Sequence, residues 1–111
     1  MTAPGLNAFR TICSADSITE GLVVPHYLDD VKRRIAIVRV DDRLYAFDDL
    51  CTCGGETCPL SGGLLEGTTI MCQCHGSRFD IATGNVVNGP AITALKLHAL
   101  KEVKGVVQIS L

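Results

Sequence analysis

Apolar positions along this chain recur in short runs of period two, the spacing of β-strands. Arg34-Ile35-Ala36-Ile37-Val38-Arg39-Val40 is rich in β-branched residues and predicts one strand. Arg43-Leu44-Tyr45-Ala46-Phe47 predicts the next, and Asp41-Asp42 between them suits a tight hairpin turn. Earlier strands are expected over Phe9 to Cys13 and Gly21 to Tyr27. Towards the far end Leu95 and Leu97 alternate with Lys96 and His98. Val107, Ile109 and Leu111 alternate with Gln108 and Ser110 after a Lys104-Gly105 turn. No long helical period, internal repeat or linker interrupts the pattern. The expectation is an all-β fold, with antiparallel sheets packed as a sandwich or small barrel in a single domain over residues 1–111.

Between the two β-rich flanks, the region of about 51–91 holds five of the six cysteines and most of the glycines. One box is Cys51-Thr52-Cys53-Gly54-Gly55-Glu56-Thr57-Cys58-Pro59-Leu60-Ser61. The other is Cys72-Gln73-Cys74-His75-Gly76-Ser77-Arg78-Phe79-Asp80. The stretch between them could form a hairpin. Such clustering is a poor fit to cysteines serving only as small core hydrophobes. It reads as a two-loop metal site at one end of the sheets. Thiolate and imidazole suit zinc or an iron–sulfur cluster and argue against calcium or magnesium. The glycines let backbone N–H groups approach thiolates or inorganic sulfides, and such hydrogen bonds raise a cluster's potential.

Composition narrows the function classes. The chain has 111 residues and a formal net charge of −2. No basic block or aromatic-interleaved basic stripe suggests nucleic acid. The run Lys32-Arg33-Arg34 reads first as the solvated start of a strand and second as a docking patch. No apolar run approaches the roughly 20 residues of a membrane span. Met1 to Leu6 lack the features of a secretory signal, so a cytoplasmic location is expected. Reducing conditions there favour metal binding over a disulfide framework.

From about Leu44 to Ala91 the sequence resembles the Rieske family of [2Fe–2S] proteins. In that family Cys-x-His and Cys-x-x-His boxes hold the cluster, two cysteines on one iron and two histidines on the other. Cys72 and His75 fall on the second box, followed by the Gly-Ser and aromatic-Asp pairs typical of the family. Cys51 falls on the first ligand position. Leu44 to Leu50 resembles the approach strand, while Leu60-Ser61 and Leu65-Glu66-Gly67 resemble the segment between the boxes. Asn88-Gly89-Pro90-Ala91 resembles the proline-containing loop that covers the cluster.

The departure is at position 53, where the family has histidine and this chain has Cys53. The ligand set expected here is Cys51, Cys53, Cys72 and His75. His26 and His98 lie in expected strands of the body and are assigned core or surface roles. Four residues separate Cys53 from Cys58, so the first loop is longer than the family's pattern. Cys58 and Cys74 match an extra pair that forms a disulfide between the loops in some Rieske proteins. Gly76, Ser77 and Pro90 fall on positions around the cluster, and the resemblance gives the Ser77 hydroxyl a hydrogen bond to a cluster sulfur. Phe79 lacks the hydroxyl that a tyrosine would supply there. Cys13 is expected in the core.

The resemblance implies a one-electron carrier with a [2Fe–2S] cluster and His75 as the electron's exit. Its partners would be a flavin-containing reductase upstream and a terminal oxygenase or other redox protein downstream. Brief electron-transfer encounters suit a compact monomer. Two other readings stay open: a cluster-free binding or regulatory subunit, and a structural zinc module using Cys51, Cys53, Cys72 and either Cys74 or His75. No separate catalytic constellation marks an enzyme.

Overall fold

The computed structural model describes residues 9–52 and 58–111. Among these described residues ten strands follow one another: β1 Arg10–Ser14, β2 Val24–Leu28, β3 Arg33–Val40, β4 Arg43–Asp48, β5 Leu64–Glu66, β6 Thr69–Met71, β7 Arg78–Asp80, β8 Val86–Asn88, β9 Leu97–Val103 and β10 Val106–Ser110. Six of them form a sheet in the order β1-β10-β9-β4-β3-β2, which curls into a nearly closed antiparallel barrel. The other four form a small sheet in the order β5-β6-β7-β8. Single 3₁₀ turns cover Ala15–Ser17 and Leu60–Gly62. No helix among the described residues is long and apolar enough to cross a membrane.

Strand β3 shows why its sequence is apolar on both faces. Side chains alternate across a strand, and both sides of this one are covered. Ala36, Val38 and Val40 join Phe47, Leu60, Ile70, Phe79 and Ile81 in one core. Ile35 and Ile37 join Ala46, Val107 and Ile109 in the other. Strand β4 divides the same way, with Ala46 in one core and Phe47 in the other. The β3–β4 hairpin is thus a wall shared by the two cores, and Cys51 and Cys72 pack into the first of them. Phe47 and Phe79 are fully buried. Each such ring contributes about 1.5–3 kcal/mol through apolar burial.

The turns follow their residues. Asp41 and Asp42 have φ of 51° and 67°, and Lys104 and Gly105 have 50° and 80°. Positive φ at both central residues matches the right-handed twist of the flanking strands. Other expectations shift. The strand expected from Gly21 begins at Val24. Gly21 sits in a turn at φ 76°, and its N–H donates to the Arg39 carbonyl at 2.8 Å. Leu95 is buried but lies before β9, because its N–H donates to the Gly84 carbonyl and not to a neighbouring strand. Leu111 falls just past β10. Cys13 is half-buried and packs against the barrel core. His98 is buried in β9 and its Nε2 lies 2.7 Å from Oδ1 of Asp48 in β4. His26 lies half-buried in β2.

Candidate metal centre

Two loops carry the cysteine boxes. The first leaves β4 at Asp48 and returns through the Leu60–Gly62 turn. Its described ends are drawn together where the Cys51 N–H donates to the Cys58 carbonyl at 2.8 Å. Beneath them lies Asp49, with its side chain fully buried. Its Oδ1 accepts the Ser61 N–H at 2.6 Å, and its Oδ2 accepts the Ser61 hydroxyl at 2.7 Å. Arg34 donates from Nε to the same Oδ2 at 2.7 Å. The Asp49 N–H donates in turn to the Arg34 carbonyl at 2.9 Å. A buried carboxylate is costly unless paired and hydrogen-bonded, and this one has both forms of compensation.

The second loop joins β6 to β7. The Cys72 N–H donates to the Ser77 carbonyl at 2.7 Å, and the Gly76 N–H donates to the Cys72 carbonyl at 3.0 Å. Gly76 has φ 78°, a left-handed conformation that glycine adopts at no steric cost. At Gly63 the constraint is space: a Cβ there would lie 2.0 Å from the Met71 carbonyl oxygen. The first loop's return can therefore run against β6 only without a side chain.

Three links tie these loops to each other and to the segment after β8. A disulfide joins Cys58 to Cys74, with Cα atoms 6.5 Å apart. The Ser77 hydroxyl, fully buried, accepts the Ala91 N–H at 3.0 Å. The Thr52 hydroxyl donates to the Thr93 carbonyl. Pro90, exposed and joined to Gly89 by a cis peptide, precedes the Ala91 that Ser77 holds.

The structure places Cys72 at 0% exposure and Cys51 at 4%, while His75 is exposed. Cys53 lies outside the described residues. The Sγ atoms of Cys58, Cys72 and Cys74 all lie within 4.8 Å of one another. Two of these sulfurs are bonded together, so the trio is better described as a disulfide set beside Cys72 than as a three-thiolate ion site. This donor chemistry fits an iron–sulfur cluster. Two buried cysteines lie on separate loops, an imidazole reaches the surface, and covalent and hydrogen-bonded ties hold the loops. Sequence reasoning identified Ser77 but missed its anchoring of the proline loop, and it missed the Asp49–Ser61–Arg34 clamp. An acidic residue just before the first box was the only available signal for the clamp.

The family model for the Rieske [2Fe-2S] domain matches residues 8–103. A ferredoxin component of naphthalene 1,2-dioxygenase/salicylate 5-hydroxylase systems from Ralstonia sp. is 37% identical over 86 residues, covering 78% of this chain and 79% of that one. Among solved structures, Sphingomonas yanoikuyae B1 ferredoxin superposes with a TM-score of 0.85 at 31% identity, covering 94% of this chain and 99% of that one. A chain from a complex of reduced oxygenase and oxidized ferredoxin in carbazole 1,9a-dioxygenase gives 0.83 at 28% identity, covering 92% of each. Of the readings left open by the residues alone, these likenesses select the iron–sulfur carrier over the zinc module and the cluster-free subunit. Two boxes on tied loops, set on a nearly closed β-barrel, thus belong to a member of the Rieske [2Fe–2S] family, a ferredoxin that carries electrons.

Proposed function

We propose that this ferredoxin receives electrons singly from a flavin-containing reductase and delivers them to a terminal oxygenase or similar redox protein in the cytoplasm. Its proposed cluster ligands are Cys51, Cys53, Cys72 and His75. The observation that carries the reading is the contrast between buried Cys51 and Cys72 and exposed His75, on loops tied through Cys58 and Cys74. Support for the partners comes from relatives named for dioxygenase systems and from the similar ferredoxin in a complex with its oxygenase.

When bound, a [2Fe–2S] cluster supplies a one-electron couple. The chain's own residues do the rest. Buried Cys51 and Cys72 exclude water from one side of the site. His75 offers a ligand edge at the surface, where a docked partner can exchange an electron. Asp49, Ser61 and Ser77 fix the loop ends, so little reorganisation accompanies the charge change.

Cys53 enters on position and chemistry. It stands where the family's histidine stands, and thiolate is an accepted iron ligand. Thiolate carries a negative charge that neutral imidazole lacks, so it disfavours the reduced state. Replacing two cysteines with two histidines moves the potential from about −400 mV to between about −150 and +300 mV. A three-thiolate, one-imidazole set belongs between those classes. The test is Cys53→His. With the proposed ligation, the variant keeps its cluster and its potential rises. Wild type without iron, beside a Cys53→His variant that acquires a red-brown cluster, would refute both the ligand set and the carrier reading.

A further inference from the structure

The disulfide between the two loops has unlike ends. Cys58 is 2% exposed and packs into the same core as Cys72, while Cys74 is exposed. A small-molecule thiol therefore reaches the bond from the Cys74 side. Its thiolate attacks the Cys74 sulfur, the S–S bond breaks, and the Cys58 sulfur leaves as a thiolate. A second small thiol attacks the outer sulfur of the mixed disulfide and releases Cys74. Two electrons pass to the protein, and two small thiols become one small disulfide.

Reduction changes what these sulfurs can hold. The Sγ atoms of Cys58, Cys72 and Cys74 lie within 4.8 Å of one another. A soft cation holds thiolate sulfur at about 2.3 Å, which sets three sulfurs in a plane around it about 4.0 Å apart. Once their bond is broken, Cys58 and Cys74 need only part to that distance, with Cys72 beside them. Cys72 and Cys74 belong to one loop and Cys58 to the other, so a bound ion takes over the tie that reduction removes. Among the described residues, no histidine or carboxylate joins the trio within the same distance. Structural zinc takes four ligands. Three thiolates alone suit copper(I), a soft ion that thiolates select and that is stable with three sulfur ligands. Exposed Cys74 leaves an open side for its entry.

We propose that reduction of the Cys58–Cys74 disulfide creates a three-thiolate copper(I) site from Cys58, Cys72 and Cys74. As the ion binds, three sulfur–copper bonds form and three thiol protons leave to solvent. This set shares only Cys72 with the proposed cluster ligands, so copper(I) and the cluster exclude each other. That exclusion, unlike the site itself, rests on the proposed ligand set. The intact disulfide withholds Cys58 and Cys74 from the ion and guards the cluster against soft metals.

Full-length chain, freed of cluster and reduced, tests the site without depending on electron transfer. Copper(I) is supplied without oxygen from its bicinchoninate complex, and accessible thiols are then alkylated and located by mass spectrometry. A metal-free sample run in parallel separates protection by the ion from protection by burial. Copper(I) should protect Cys58, Cys72 and Cys74 and leave Cys51 and Cys53 to be modified. Cys74→Ser should weaken binding by at least about tenfold. Protection of Cys51 and Cys53 in place of Cys58 and Cys74, protection of none, or undiminished binding by Cys74→Ser would overturn the site. The second arm starts from cluster-loaded protein. Excess copper(I) should bleach its visible absorption at least about tenfold faster after disulfide reduction than before, each rate corrected for loss without copper. Equal rates would overturn the exclusion while leaving the carrier reading standing. A chain that loads no cluster would fail the carrier reading and leave the alkylation pattern of the first arm to decide the site.

Discussion

Asp49 receives two hydrogen bonds from Ser61, one from its backbone N–H at 2.6 Å and one from its hydroxyl at 2.7 Å. The pair closes the base of the first cysteine loop from both sides. Asp49 lies two residues before Cys51, and Ser61 lies three after Cys58. The two substitutions should therefore differ in cost. Ser61→Ala removes the hydroxyl bond to Asp49 and a long, exposed contact from Arg34 at 3.5 Å, keeps the backbone bond, and should cost about 1 kcal/mol. Asp49→Ala strands the Ser61 N–H and leaves Arg34 without its carboxylate, which should cost about 2–3 kcal/mol. Chemical unfolding of both variants checks the order. Equal midpoints would show that the carboxylate contributes nothing beyond the hydroxyl bond.

Ser77 links the second box to the proline loop. Its Oγ accepts the Ala91 N–H at 3.0 Å in a fully buried setting, and its own proton remains available to donate elsewhere. Ser77→Ala should have two effects. The Ala91 N–H loses its acceptor, at a cost of about 1–3 kcal/mol. A donor towards the cluster is also lost, so the reduced state is less stabilised and the potential falls. Protein-film voltammetry reads the second effect independently of the first. An unchanged potential would reduce Ser77 to an anchoring residue.

The Cys58–Cys74 disulfide closes a separation of 16 residues. A cross-link over such a span restricts the unfolded chain by about 3 kcal/mol. Replacing both cysteines with serine should shorten the lifetime of the visible absorption on warming. A half-life equal to that of wild type would remove any role for the disulfide in holding the cluster.

The body of the fold was legible in the sequence because its strands are long enough to show a period. Alternation around Val107 and Ile109, and the paired turn residues Asp41-Asp42 and Lys104-Gly105, located the two hairpins. Of the small sheet only the β5–β6 hairpin between the boxes was legible. Strands β5 to β8 have three residues each, too few for alternation to stand out from loop sequence. Within it, Ile70 and Phe79 are cross-strand partners that look like isolated apolar residues. At the site, the two boxes were visible because ligand types are rare and closely spaced. The Asp49–Ser61 clamp was hidden because its partners face each other only after the loop between them has folded.

His26 supplies a pH dependence. Burial pushes its imidazole below the ordinary histidine value of 6.5, outweighing the opposing effect of the Val24 backbone. The folded chain thus keeps this ring neutral where the unfolded chain takes up a proton. The unfolded state then binds more protons, so stability rises with pH through this window and falls as pH drops below the unfolded value. Between about pH 7.5 and about pH 5.5, wild type should lose more stability than His26→Gln. Urea midpoints at the two pH values check this, and parallel losses would remove His26 as a contributor.

A [2Fe–2S] cluster held between the two tied loops is what makes this chain a one-electron carrier. The iron, zinc and acid-labile sulfide content of protein purified without oxygen reads that cluster directly. Red-brown protein with two irons and two sulfides per chain is expected, as the family's cluster requires. Colourless protein containing zinc without sulfide, or containing neither metal, would overturn the assignment.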